Sequence, residues 1–285
     1  MNDNLGIFPN VPFDEYAKID AINGSSLLHL RKSPMHYRHA CDNPAPATEA
    51  MNLGTATHQL ILEPHRVGDM AVWGLAEDQR VRNGRVWETF KAANADKLIV
   101  TKQQSESMVG MAVGARKHVP IRTYADAKGD TEVVIVWREP IYGGRLMKGR
   151  LDKLIGGGKT VFDLKTCRDC SKYRFGGQAY KLGYHIKMAL YWLGVKALTG
   201  HMPKLVLGAI ESVAPYESAV YRVTTDVLLQ GSDDLNALMS KLAACEESDE
   251  WPAAEPEELE LTLPTYAYTE QGEADDLSDL ALVED

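Results

Sequence analysis

GRLDKLIGGGKTVFDLKT, residues 149–166, has the pattern of two strands joined by a glycine-rich turn, with charged side chains where buried apolar ones are expected. In its second half, VFDLKT, Asp163 and Lys165 stand two residues apart. Side chains two apart on a strand project from the same face. A carboxylate and an ammonium therefore enter the core or a cleft together. An isolated D-x-K is most simply a structural ion pair or a solvated edge strand. Asp152 changes that reading. It lies on the preceding strand, across the Gly156–Gly158 turn, and a hairpin of this length brings it close to Asp163. Two adjacent carboxylates repel unless a cation joins them. Oxygen ligands suit Mg²⁺ or Mn²⁺, which keep waters and add substrate phosphates. Lys165 can then orient or deprotonate a metal-bound water, or offset charge on a phosphorane. These are the parts that hydrolysis of a phosphodiester requires.

The flanking segments extend the hairpin. TEVVIVWRE (131–139), GGRLMKGRLDKLI (143–155) and TVFDLKT (160–166) predict an antiparallel meander. GYHIKMALYWLGVKALTG (183–200) predicts a long helix ending at Gly200, with Gln178 in the loop before it. KLVLGAIESV and ESAVYRVT predict two further strands. Residues 224–248 predict a helix that breaks near Gly231. On the N-terminal side, residues 1–20 are extended or loop-like, and 22–40 predict a short helix capped by Asn23 or Ser25 that breaks near Pro34 and restarts as a second helix. MNLGTATHQLILEP (51–64) is helical and ends at Pro64; residues 85–118 give a helix, an extended link at KLIV and a second helix.

Composition sets the bounds. The 285 residues are 45% hydrophobic and 25% charged, ordinary for a globular protein of one large or two small domains. There is no apolar run of about 18 residues and so no expected membrane span. The N-terminus lacks a signal-peptide pattern, and four cysteines are too few for a disulfide scaffold. A reducing cytoplasm is the expected setting. The net charge of −9 is uneven. Residues 246–285 hold 15 acids and no Lys or Arg, so residues 1–245 carry 31 bases against 25 acids, a net of +6. A basic body with an acidic tail fits a nucleic-acid protein.

GRLDK…VFDLKT resembles the PD-(D/E)XK nuclease superfamily and, more closely, the RecE-type (exodeoxyribonuclease VIII-like) exonucleases of phages and prophages. LGTATHQLILEP (53–64) is similar to that family's Gly-x-x-x-His segment followed by Glu-Pro. TEVVIVW resembles its acidic strand, YHIKMALYWLG (184–194) its helix after the motif, and DEWP (249–252) the end of its nuclease domain. The resemblance covers most of the chain. It implies a restriction-endonuclease-like α/β fold, a central mixed sheet flanked by helices, with a nuclease domain over 1–251 and an acidic tail over 252–285. It also implies roles: Asp152 and Asp163 as metal ligands, Lys165 as the catalytic lysine, His58 as a further metal-side residue, Glu132 as an acidic residue near a second metal or the water, and the Leu164 carbonyl as a main-chain ligand. Taken without the resemblance, His58 is a core histidine and Glu132 an ordinary strand carboxylate. Lys148, Arg150, Lys153, Arg168, Lys172 and Arg174 flank the motif strands and either track phosphates or form a solvated face. Lys187 and Tyr191 on the following helix join them as DNA-binding candidates. The activity implied is a Mg²⁺-dependent exodeoxyribonuclease, with Mn²⁺ able to substitute. It would degrade one strand of duplex DNA from the 5′ end and leave 3′ overhangs. The partners implied are duplex ends, a single-strand annealing (RecT-type) protein and further copies of the chain in a ring, within a bacterial host cell.

The chain departs from that pattern in two places. Lys187 stands where the family usually has Gln, and an ammonium cannot reproduce an amide's paired donor and acceptor. CRDC (167–170), with Cys41 and Cys245, makes four cysteines, enough in number for an iron–sulfur cluster. Two alternatives follow: a CRISPR-associated type of nuclease bearing such a cluster, and a catalytically weakened module that binds DNA ends or a partner. In the tail, the alternation of LELTLPTYAY (259–268) predicts an extended segment docked on the body. EADDLSDLALVED (273–285) suits a partner groove or a cover for the DNA channel.

Overall fold

The computed structural model describes residues 4–44, 48–76, 79, 81–255 and 257–262. Its centre is a six-stranded sheet of β1 (Gly6–Phe8), β4 (Gly129–Glu139), β5 (Arg145–Ile155), β6 (Thr160–Cys167), β7 (Lys204–Glu211) and β8 (Ser218–Arg222), in that spatial order. A separate parallel pair joins β2 (Met70–Trp73) to β3 (Leu98–Thr101). Neighbours in the main sheet are antiparallel except β6 and β7. Parallel strands need a crossover. Here it is α8 (Lys172–Lys181) followed by α9 (Tyr184–Thr199).

Helices cover both faces. On one side α9 and α10 (Thr225–Ser248) bury Ile186, Leu190, Leu235 and Leu242 against Val133, Ile135, Trp137 and Val161. On the other, α4 (Glu49–Leu62), α6 (Lys102–Lys117) and α7 (Val119–Asp126) bury Ile61, Met108 and Ile121 against Phe162, Leu164 and Val206. A strand buried on both faces reads as a continuous apolar run. That is why KLVLGAIE and VVIVW look alike in sequence. The fold is thus the expected α/β one, a central mixed sheet flanked by helices, and β4–β6 form the expected meander. No helix among the described residues is long and apolar enough to cross a membrane.

Three expectations are corrected. α10 runs unbroken through Gly231. A Cβ at that position would lie 2.3 Å from the His185 carbonyl oxygen, so this glycine permits a close helix crossing rather than a break. Gln178 lies on α8 and not in a loop. Leu259 and Leu261 are 63% and 92% exposed, so this part of LELTLPTYAY does not dock on the body. Leu263, Tyr266, Tyr268 and the acidic segment 273–285 lie outside the described residues.

Candidate active site

The β5–β6 ladder pairs Ile155 with Thr160, Leu154 with Val161 and Lys153 with Phe162. The next pair would be Asp152 and Asp163, and there the ladder stops. A kink explains the parting. Leu151 and Leu154 belong to the same core cluster although they are three residues apart, which strict two-residue alternation forbids. Opposite the kink on β4, Glu132 holds φ at 50°, a left-handed conformation that is uncommon for a non-glycine residue. Backbone strain of this kind concentrates at functional sites.

Side chains fill the gap between the parted strands. The amide of Leu164 donates to Asp152 Oδ2 at 2.7 Å, in place of a ladder bond. His58, on α4, lies 3.2 Å from the same oxygen through Nδ1. Lys165 Nζ pairs with Asp163 and donates to the Leu164 carbonyl at 3.0 Å. Burial alone would raise the pKa of Asp152, but His58, Lys165 and the Leu164 amide outweigh it and hold the group well below the carboxylate range. Asp163 goes the other way: burial and the charge of Asp152 raise it against the pull of Lys165. Burial opposes the charge on Lys165, yet Asp163 and Asp152 prevail and keep it protonated.

A second layer adjoins this centre. Glu132 is buried and ion-paired with Arg150. Burial lifts its carboxyl to about 7, Arg150 opposes the rise, and Asp152 adds to it. Glu63 caps the end of α4, accepts the Thr131 hydroxyl at 2.5 Å and pairs with Arg66 at 3.1 Å. In the sequence, the only signal at Glu63 is the Glu-Pro step that ends the helix. On α9, Tyr184 lies under Lys165, with Nζ 5.4 Å from its ring centroid. Gln178 donates to the Thr166 carbonyl at 3.2 Å. Lys187 is half-buried. Burial lowers it to about 8, helped by the charge of Lys165 and opposed by Asp163 and Asp152.

The proposed DNA contacts divide. Lys148 and Lys153 are each 4% exposed. Lys148 Nζ donates to the carbonyls of Tyr16 at 2.9 Å, Ala17 at 3.3 Å and Ile19 at 2.6 Å, and Lys153 Nζ donates to that of Ala125. Both are corrected from phosphate contacts to internal ties, because their ammonium groups are consumed by main-chain acceptors. The Tyr191 hydroxyl donates to the Arg150 carbonyl at 2.9 Å, so it too serves the scaffold. Arg168, Lys172 and Arg174 are exposed around the start of α8 and remain free to meet a phosphate chain.

The donor set suits a hard divalent cation. Asp152, Asp163 and the Leu164 carbonyl offer oxygen and His58 offers one imidazole nitrogen. Among the described residues, Asp152, Asp163 and His58 are not drawn within 4.8 Å of one another; the group whose metal-capable His, Cys, Asp or Glu atoms all lie that close is Cys170, Glu211 and Glu217. Neither Cys41 nor Cys245 joins it, so the described thiols do not form the four-cysteine site that an iron–sulfur cluster needs.

Known proteins bear on this geometry. The profile of a family described as a PDDEXK-like domain of unknown function (DUF3799) matches residues 24–262. A crystal structure from Eubacterium rectale, of a protein provisionally described as an exonuclease, superposes with a TM-score of 0.61. The two are 14% identical, over 95% of this chain and 97% of that one. No curated protein matches this chain.

Proposed function

Because the chain belongs to the family of PDDEXK-like domains (DUF3799), we propose that the Asp152–Asp163–Lys165 centre hydrolyses phosphodiester bonds in DNA. The observation that carries this reading is the parted β5–β6 ladder, where two carboxylates, a lysine and a histidine come together beside one gap between strands. The description given to the Eubacterium rectale protein agrees with it. Asp152, Asp163, His58 and the Leu164 carbonyl would hold Mg²⁺, with Mn²⁺ as a substitute. A bound divalent ion supplies an activated water and polarises the phosphate. The chain supplies the rest. The Leu164 amide and His58 fix the Asp152 carboxylate. Lys165, set between two carboxylates, would orient or deprotonate the attacking water, or offset charge on the phosphorane. Arg168, Lys172 and Arg174 would track the phosphate backbone.

The finer reading follows the RecE-type resemblance: an exodeoxyribonuclease acting on duplex ends from the 5′ side, with its catalytic domain in 1–251. It would leave 3′ overhangs for an annealing protein of the RecT type, work as a homo-oligomeric ring and reside in the bacterial cytoplasm. The test is digestion of duplex DNA, labelled in turn at each end, with and without Mg²⁺. Mg²⁺-dependent loss of the 5′-labelled strand end is expected. Asp163→Ala and Lys165→Ala should each reduce the rate by roughly 10²-fold or more, since each removes a transition-state interaction. A folded wild-type protein that cleaves no DNA with any divalent ion overturns the reading, as does a folded variant that cleaves at wild-type rate.

A further inference from the structure

The centre holds as many built-in cations as carboxylates. Lys165 is paired with Asp163, and Arg150 with Glu132. Glu63, farther out, has its own partner in Arg66. The remaining cation is Lys187. Tyr184, Lys187 and Tyr191 stand at i, i+3 and i+7 and so share one face of α9. Tyr184 reaches Lys165, and Tyr191 reaches Arg150. Lys187 therefore faces the space between β5 and β6 where the ladder has parted. Its stem crosses Gly24 closely enough that a Cβ there would lie 3.1 Å from Lys187 Cγ. Among the described residues the Lys187 ammonium makes no hydrogen bond or ion pair. An ammonium brought this far out of water without a partner is suited to an anion that arrives later.

Formal charge then limits what the centre can accept. Asp152, Asp163 and Glu132 are matched one for one by Lys165, Arg150 and Lys187. A single divalent ion with one phosphodiester would leave a small positive excess. A second ion would add two more positive charges to a largely buried centre, and uncompensated buried charge is strongly unfavourable. A second ion would also have to compete with Arg150 for Glu132.

Resting on the hydrolase reading above, we propose that this centre works with one divalent ion per chain, and that Arg150 and Lys187 do with fixed charge what a second ion would do. Arg150 occupies the Glu132 carboxylate, and Lys187 receives a non-bridging oxygen of the substrate phosphate.

The test is Mn²⁺ stoichiometry on the full chain, read from the electron paramagnetic resonance of unbound Mn²⁺. It is measured alone and with a duplex whose terminal linkages are nuclease-resistant phosphorothioates. One ion per chain is expected in both states. The double variant Arg150→Gln, Lys187→Gln should gain a second ion, with a Kd within about tenfold of the first. An ion that disappears in Glu217→Gln belongs to the Cys170–Glu211–Glu217 group and is subtracted. Two ions at the wild-type centre overturn the proposal even if DNA is cleaved as expected. One ion in both the wild type and the double variant overturns the roles of Arg150 and Lys187. A wild type that binds one ion yet cleaves no DNA refutes the hydrolase reading and leaves the ion count standing.

Discussion

Replacing Lys148 by methionine distinguishes an internal tie from a DNA contact. The ammonium is buried, donates to three carbonyls of the N-terminal segment and lies 4.5 Å from the Tyr16 ring centroid. It thereby fastens the turn after α1 (Phe13–Ala17) to β5. Methionine keeps much of the apolar stem but leaves the three acceptors without their donor. Hydrogen bonds to a charged group contribute roughly 1.5–3 kcal/mol each, but three that share one ammonium do not add. Burial already lowers the Lys148 pKa, so removing the charge also relieves a desolvation penalty. The net loss should be about 2–4 kcal/mol, a large part of the roughly 5–15 kcal/mol that stabilises a domain. Urea unfolding would show it as a lower midpoint at unchanged slope. DNA affinity measured across a salt series, under conditions where the variant is folded, should keep the wild-type slope. A loss below about 1 kcal/mol together with a slope reduced by about one unit would refute the reasoning, because that is the signature of a phosphate contact.

Other outcomes are equally specific. Alanine at Arg168, Lys172 or Arg174 should weaken duplex binding uniformly across sequences and reduce the salt slope by about one per residue, without changing thermal stability. Glu132 titrates at about 7 in the native protein against 4.5 for the free group. Between those values the native state binds more protons than the unfolded state, so stability falls as pH rises through this window. Urea midpoints of the metal-free protein should therefore decrease from pH 5 to pH 8, and Glu132→Gln should flatten the decrease. Gly231→Ala drives a Cβ against the His185 carbonyl and must part α9 from α10. A cost of about 2–4 kcal/mol and a thermal midpoint lower by roughly 4–8 °C are expected, whereas an unchanged melting curve would mean the helices do not cross this closely.

The sequence by itself determined which charged groups meet at the centre. Asp152, Asp163 and Lys165 were legible because a turn of three glycines can only join adjacent strands, and strand alternation then puts Asp163 and Lys165 on one face. His58 was legible only through its motif, since nothing local to α4 says which strand it will meet. The tertiary structure decided what each remaining charge does. Lys148, Arg150 and Lys153 look alike along β5, yet two of them reach main-chain carbonyls of segments far away in sequence, while Arg150 reaches Glu132 across the β4–β5 ladder. Alternation gives a side chain's face but not its partner, because the partner comes from whichever distant segment covers that face. The kink at Asp152 escaped for a related reason. It depends on how β4, β5 and β6 are held together at Glu132, and no local pattern around residue 152 encodes that. Gly231 is the converse case: a residue that breaks helices by propensity sits inside one because the neighbouring helix needs the space its side chain would fill.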